Sequence, residues 1–263
     1  MLGAIIGDIA GSRFEFRNHR SKDFDIFHST CFFTDDTVMT CAVADCLVNN
    51  GKPEDYLKYF GRQYPNKGYG GRFKAWLYSN SSEPYYSFGN GAAMRVSPVG
   101  WFAKSEKEVK ALSKRVTEVT HDHPEGLKGA EVTAMCIFYA LHGKDKDFIR
   151  KYAKKYYNID FDYEDLVKNY KFNERCQDTV PQAIYCFLIS NSFEDCLRIS
   201  VSIGGDTDTL CAISCAIAEA YYGIPNDFKE KVMRYFSYKD KILLLEPLKN
   251  IYEKVGKNDY FML

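Results

Sequence analysis

Two short acidic stretches, each set into apolar sequence, constrain this chain more than any other feature. The first is Thr34-Asp35-Asp36-Thr37; the second is Gly204-Gly205-Asp206-Thr207-Asp208-Thr209. Phe33 and Val38 flank the first, Ile203 and Leu210 the second, and no Lys or Arg adjoins either. Both read as a turn feeding the first turn of a helix, where Asp and Thr are favoured. For the first stretch alone, a helix cap would be explanation enough. The second resists that reading, because burying two unpaired carboxylates in apolar surroundings costs several kcal/mol. If the stretches meet, four carboxylates repel one another unless cations neutralise them. Every donor is oxygen, which suits Mg²⁺, Mn²⁺ or Ca²⁺ better than zinc. Asp35, Asp36, Asp206 and Asp208, completed by the Thr34 and Thr209 hydroxyls, therefore form a candidate two-cation centre. Such centres hold ions about 3.5–4 Å apart and can clamp a diol or activate water.

The rest of the chain sets bounds. Its 263 residues allow one large domain or two small ones, and 46% hydrophobic composition is ample for a core. Thirty-five basic residues balance 35 acidic ones, which argues against a broad nucleic-acid footprint. The nine cysteines form no CxxC pair, and several sit in apolar helical patterns, so a reduced cytoplasmic setting is expected. The apolar start Met1–Gly7 lacks a basic flank and stops at Asp8, unlike an export signal. No apolar run reaches ~18 residues, so no membrane span or membrane partner is expected.

Gly3, Gly7 and Gly11 recur every four residues in an apolar opening, which places them near one helix face and permits close backbone approach. The polar segment Arg13–Ser29 carries Glu15 and reads as a loop over a surface or a site. Asp35 or Asp36 is expected to cap the apolar run 38–48. Pro53 opens a helix to about Tyr64, and a short aromatic helix surrounds Trp76. Residues 79–92 form the clearest long loop, mixing Ser, Asn, Gly and aromatics suited to a planar ligand and its hydroxyls. Amphipathic helices are expected at 106–119 and 126–142, a Lys/Tyr-rich one at 146–157, and weak patterning at 158–179. Pro181 is expected to open a helix to about Leu188 and Phe193 one to Ile203; helices at 209–222, 227–236 and 240–254 complete the chain. No sustained period-two pattern occurs, so the chain reads as all-α, a single multi-helix domain over 1–263.

Glycine-rich Gly68–Gly71 and Gly89–Gly91 can turn backbone N–H groups toward phosphates. Tyr69, Tyr86 and Phe88 beside them can stack on a base or line a ribose groove. His121-Asp122-His123 offers too few ligands for a metal site of its own. Asp8 is expected to support the acidic cluster or cap the first helix, and Arg95 and Asp178 to be buried structural partners.

The chain resembles the ADP-ribosylglycohydrolase family. The matching segments run in order: Gly7-Asp8, Gly11, Glu15, Phe33–Thr37, Lys67–Gly70, Gly89–Arg95 with Pro98, Thr120-His121, and Gly204–Thr209. The resemblance implies an all-α domain that cleaves the bond between the anomeric carbon of ADP-ribose and an acceptor side chain, using two Mg²⁺ ions, with Mn²⁺ a possible substitute. It implies Thr34, Asp35, Asp36, Asp206, Asp208 and Thr209 as metal ligands. It places Tyr69, Gly70, Gly71, Ser87, Phe88, Gly89, Asn90, Gly91, Met94 and His121 against the substrate. Glu15 matches a loop glutamate found in some branches and is the expected proton-handling residue, with Asp36 its rival. The implied partner is an ADP-ribosylated protein or a small ADP-ribose conjugate, with ADP-ribose as product. Arginine N-linkage is the first expectation. O-linkage to serine or acetate and a modified base are rivals. A non-catalytic ADP-ribose reader or immunity protein, and a Ca²⁺-stabilised structural protein, are the alternatives outside enzymes.

Overall fold

The every-fourth glycine signal decides how the molecule is assembled. In the computed structural model, which describes residues 1–257, the opening forms helix α1 (Leu2–Ser12), and its glycine face lies flat on α13 (Thr207–Tyr222). A Cβ on Gly3 would sit 2.4 Å from the Cys215 carbonyl oxygen, one on Gly7 2.3 Å from that of Cys211, and one on Gly11 2.6 Å from that of Thr207. The partners step backward by four as the glycines step forward by four, so the helices run antiparallel. Ile5, Ile6 and Ile9 are fully buried around this contact, each contributing roughly 1.5–3 kcal/mol. The end of α1 therefore arrives beside the second acidic stretch at the start of α13.

Helix α2 (Asp35–Asn49) begins at the first acidic stretch. Its cap is Thr34, whose hydroxyl accepts from the Asp36 amide at 3.3 Å, rather than Asp35 or Asp36. Both carboxylates are thereby released from capping. Then follow α3 (Pro53–Gln63), α4 (Gly71–Tyr78), a one-turn α5 (Gly91–Met94), α6 (Ser97–Phe102), α7 (Glu106–Thr117), α8 (Pro124–Leu141), α9 (Lys146–Ala153), α10 (Tyr163–Asn169), α11 (Cys176–Ile189) and α12 (Phe193–Ile203). After α13 come α14 (Asn226–Val232), a 3₁₀ turn, α15 (Tyr238–Asp240), a π-turn over Lys241–Leu245, and α16 (Glu246–Lys254). Among the described residues no strand forms, only an isolated bridge between Gly89 and Arg175.

The all-α expectation holds, with local corrections. Helix α11 starts at Cys176, so Pro181 lies inside it rather than opening it. A proline near a helix start leaves only the Gln177 carbonyl without its i+4 donor, which the structure tolerates there. The weakly patterned 158–179 region holds α10, too short for its period to be read. The 79–92 loop gives its last two residues to α5. All nine cysteines are buried free thiols, and no described helix is long and apolar enough to cross a membrane.

Candidate functional site

The two acidic stretches meet. The Thr209 hydroxyl donates to Asp36 Oδ2 at 3.2 Å across 173 residues of sequence. Asp8, wholly buried on α1, secures the first stretch from behind. It accepts from the Thr34 amide (2.9 Å) and hydroxyl (2.7 Å), from the Thr37 amide (3.0 Å), and from the Thr37 hydroxyl. One carboxylate thus joins α1 to the start of α2; it supports the cluster, as expected, and does not cap α1. On the other side, Gly204 (φ +71°) and Gly205 (φ +83°) make the left-handed turn into α13. Asn18 donates to the Gly205 carbonyl (2.9 Å) and accepts from its amide (2.9 Å), tying the Glu15 loop to that turn. Arg20 ties the same loop to the carbonyls of Ile203 and Tyr170.

Glu15, Asp35, Asp36, Asp206, Asp208 and Thr209 line one cleft of about 240 Å³. Carboxylate oxygens of Glu15, Asp206 and Asp208 lie within 4.8 Å of one another. Burial, then mutual repulsion, pushes this cluster toward its protonated form: Asp35, Asp36 and Asp208 rise well above the usual carboxylate range. Asp206 rises to about 6, held down in part by Asn90, which donates to it at 2.6 Å. Glu15 is pushed up to about 8 by burial and by the charges of Asp208, Asp8 and Glu174.

The donor set fits divalent cations on its own evidence. Asp36 Oδ1 is buried without any hydrogen-bond partner, and no ion pair among the described residues includes an acid of this cluster. An orphaned buried carboxylate oxygen is expensive to leave unmatched. Thr34 is buried behind Asp36, 3.5 Å from its Oδ2, and does not line the cleft.

The rest of the cleft is built of glycine edges and two arginines. Gly68, Gly70 and Gly71 form one wall, and a Cβ on Gly70 or Gly71 would meet open space, so their backbone faces the cleft unobstructed. Ser87, Gly89, Asn90, Gly91, Met94 and His121 form the other. His121 is buried, holds the Thr120 hydroxyl at 2.8 Å through Nδ1, and is kept neutral by burial and by Arg95 and Arg72. Three expected contacts stand apart: Tyr69 is buried against Phe73, and Tyr86 and Phe88 pack on His123 with 57% and 38% of their surfaces exposed. His123 caps α8 through Nδ1. Arg95 and Asp178 do not form a buried pair: Arg95 donates to Thr120 Oγ1 at 2.7 Å, and the half-buried Asp178 pairs with Arg175.

Sequence reading missed Arg72, Tyr85 and Glu174, which also line the cleft. The Arg72 guanidinium lies 5.1 Å over the Tyr85 ring and donates to the Tyr85 carbonyl, spanning from α4 to the long loop. Glu174 arrives because its carbonyl accepts from the Asn90 amide at 2.7 Å. The GGR run after Tyr69 was the one available hint, since it sets a cation beside a bare turn.

The chain is similar to known proteins along nearly its whole length. A family model described as ADP-ribosylglycohydrolase matches residues 1–258. The ADP-ribosylhydrolase ARH3 of Mus musculus is 26% identical over 85% of this chain and 83% of that protein. The ADP-ribosylarginine hydrolase Tri1 of Pseudomonas putida (strain GB-1) is 25% identical over 88% of this chain and 72% of that protein. A solved ADP-ribosylglycohydrolase-related protein complex shares the fold, with a TM-score of 0.73 and 22% identity over 97% of this chain and 95% of that one.

Proposed function

This chain belongs to the ADP-ribosylglycohydrolase family, and from that premise we propose that it removes ADP-ribose from modified arginine side chains in a Mg²⁺-dependent reaction. The observation that carries the metal dependence is the buried, partnerless Asp36 Oδ1 among carboxylates drawn from both acidic stretches. Asp35, Asp36, Asp206, Asp208 and Thr209, all lining the cleft, would hold two Mg²⁺, or Mn²⁺ in their place, and Thr34, set behind Asp36, would join them by turning its hydroxyl from Asp8. When bound, such ions neutralise the cluster, fix a vicinal diol and acidify water.

The chain's own residues do the rest. Asp8 and Asn90 orient the ligating stretches through the hydrogen bonds above, so little reorganisation is needed when ligands bind. The glycine walls and Arg72 face the diphosphate of ADP-ribose. Neutral His121 lines the same wall without adding charge. Positive charge grows on the anomeric carbon as the acceptor leaves, in a cleft already rich in carboxylates. Glu15, whose carboxylate lies within 4.8 Å of those of Asp206 and Asp208, gives a proton to the departing nitrogen and takes one from water; the two-carboxylate glycosidase scheme is the analogue.

The arginine reading draws on the likeness to an arginine-specific relative. A second reading, O-linked ADP-ribose on serine, is favoured by Glu15 itself, since an alkoxide leaving group needs a proton more than a guanidine does. Incubation with arginine-linked and serine-linked ADP-ribosyl peptides, in Mg²⁺ and in chelator, separates the two. Release of ADP-ribose from the arginine peptide, abolished by chelator, is expected. Glu15→Gln is expected to lower turnover at least about a hundredfold while ADP-ribose still binds. Full activity in that variant, or activity indifferent to metal removal, would refute the mechanism.

A further inference from the structure

Two large apolar rings stand uncovered on the two loops that bring Glu15 and Glu174 to the cleft. Phe16 is 81% exposed and Phe172 is 41% exposed. They stack with centroids 5.8 Å apart and planes inclined by 30°. Single exposed apolar residues are ordinary. This pair differs because each ring sits on a loop that lends a residue to the cleft: Phe16 follows Glu15, and Phe172 lies two residues before Glu174.

Neither loop needs the rings to stay in place. The Glu15 loop is held by Asn18 on Gly205 and by Arg20 on Ile203 and Tyr170. The Phe172 segment is held by the Tyr170 hydroxyl on the Asp178 carbonyl (2.6 Å) and by the Glu174 carbonyl on the Asn90 amide (2.7 Å). The ring pair is therefore free to serve something outside the fold. The residues beside them state the chemistry: two stacked aromatic rings on loops whose carboxylates, Glu15 and Glu174, line the same cleft.

We infer that Phe16 and Phe172, flanked by Glu15 and Glu174, form the acceptor subsite, and that it takes the guanidinium of an arginine adduct. The inference rests on the reading above, in which the acidic cluster holds the distal ribose and the leaving group points toward the Glu15 loop. A guanidinium is planar, stays charged, stacks on aromatic faces and donates to carboxylates through a fixed fork. A seryl oxygen offers no cation to these rings. The leaving group is thus recognised by the 170–174 segment together with the Glu15 loop, outside the 79–92 loop.

Kinetics on an arginine-linked ADP-ribosyl peptide in Mg²⁺ test this, using the full chain and its Phe16→Ala, Phe172→Ala and Phe16→Tyr variants. Free ADP-ribose binding is measured alongside by calorimetry, and folding by thermal melting. Each alanine variant is expected to raise KM about tenfold and to leave ADP-ribose affinity and melting temperature as in the parent. Phe16→Tyr, which keeps the π face, is expected to restore KM. Unchanged KM in both alanine variants overturns the subsite. So does a fall in kcat with KM unchanged, which would make the pair a latch on the Glu15 loop, and so does a loss of ADP-ribose affinity. If the parent protein releases nothing from the arginine peptide, the proposed acceptor and the subsite fall together. If the parent is active and the variants match it, the subsite alone falls.

Discussion

Arg72 carries the sharpest consequence at the scale of single residues. ADP-ribose is an anion, yet the cleft is lined by Glu15, Asp35, Asp36, Glu174, Asp206 and Asp208. Of the two arginines that line it, Arg95 is 1% exposed and committed to Thr120 and Val116. Arg72 is exposed and, among the described residues, bound only to the Tyr85 carbonyl and ring, so it is the cation able to reach a diphosphate. Arg72→Ala is expected to weaken ADP-ribose binding by about 1.5–3 kcal/mol, the value of a charged hydrogen bond, while adenosine binds as before. Calorimetry with both ligands checks it; equal weakening of both would show that Arg72 merely shapes the cleft. The acids were legible in the sequence because carboxylates in apolar runs demand a reason. Arg72, Tyr85 and Glu174 were not, because they sit in polar segments where charge needs no explanation. Only the Asn90–Glu174 backbone contact, a tertiary fact, brings one of them to the site.

Among elements, the α1–α13 contact sets the geometry on which the acids depend. The glycine spacing made the helix face readable, whereas its partner could be learned only from the fold. Pro181 shows the converse limit, since local punctuation marked a boundary that the packing of α11 overrides. Gly7 is the test of the contact. A Cβ there would meet the Cys211 carbonyl carbon at 2.5 Å and oxygen at 2.3 Å, backbone atoms that no rotamer change can move aside. The helices must therefore separate, and Asp8, one residue on, moves with α1. Gly7→Ala is expected to cost roughly 1–3 kcal/mol by overpacking, with loss of the extra stability that Mg²⁺ confers. Thermal melts with and without Mg²⁺ read both effects. A Gly7→Ala protein that melts like the parent would mean the helices are not held at this distance.

For the whole molecule, the net charge of zero conceals a strongly divided interior, and that division makes stability depend on pH and metal together. Folding raises Glu15 to about 8 and Asp206 to about 6, and lifts Asp8, Asp35, Asp36 and Asp208 above their ordinary values, in each case chiefly through burial. In the unfolded chain these groups titrate near about 4. Between about 4 and 8 the metal-free folded state therefore binds more protons than the unfolded one, and its stability falls as pH rises through that window. His121 acts in the opposite sense, because its lowered pKa disfavours the folded state only in acid. Divalent ions bind the ionised carboxylates, so they replace the protons being lost and their stabilisation grows with pH. The informative quantity is the difference between melting temperatures in Mg²⁺ and in chelator at the same pH, from which the His121 contribution largely cancels. That difference is expected to be small near pH 5 and to widen steadily toward pH 8. A difference that stays constant across the range would mean that the ions do not bind at these acids, and would remove the physical basis for reading the cluster as a metal centre.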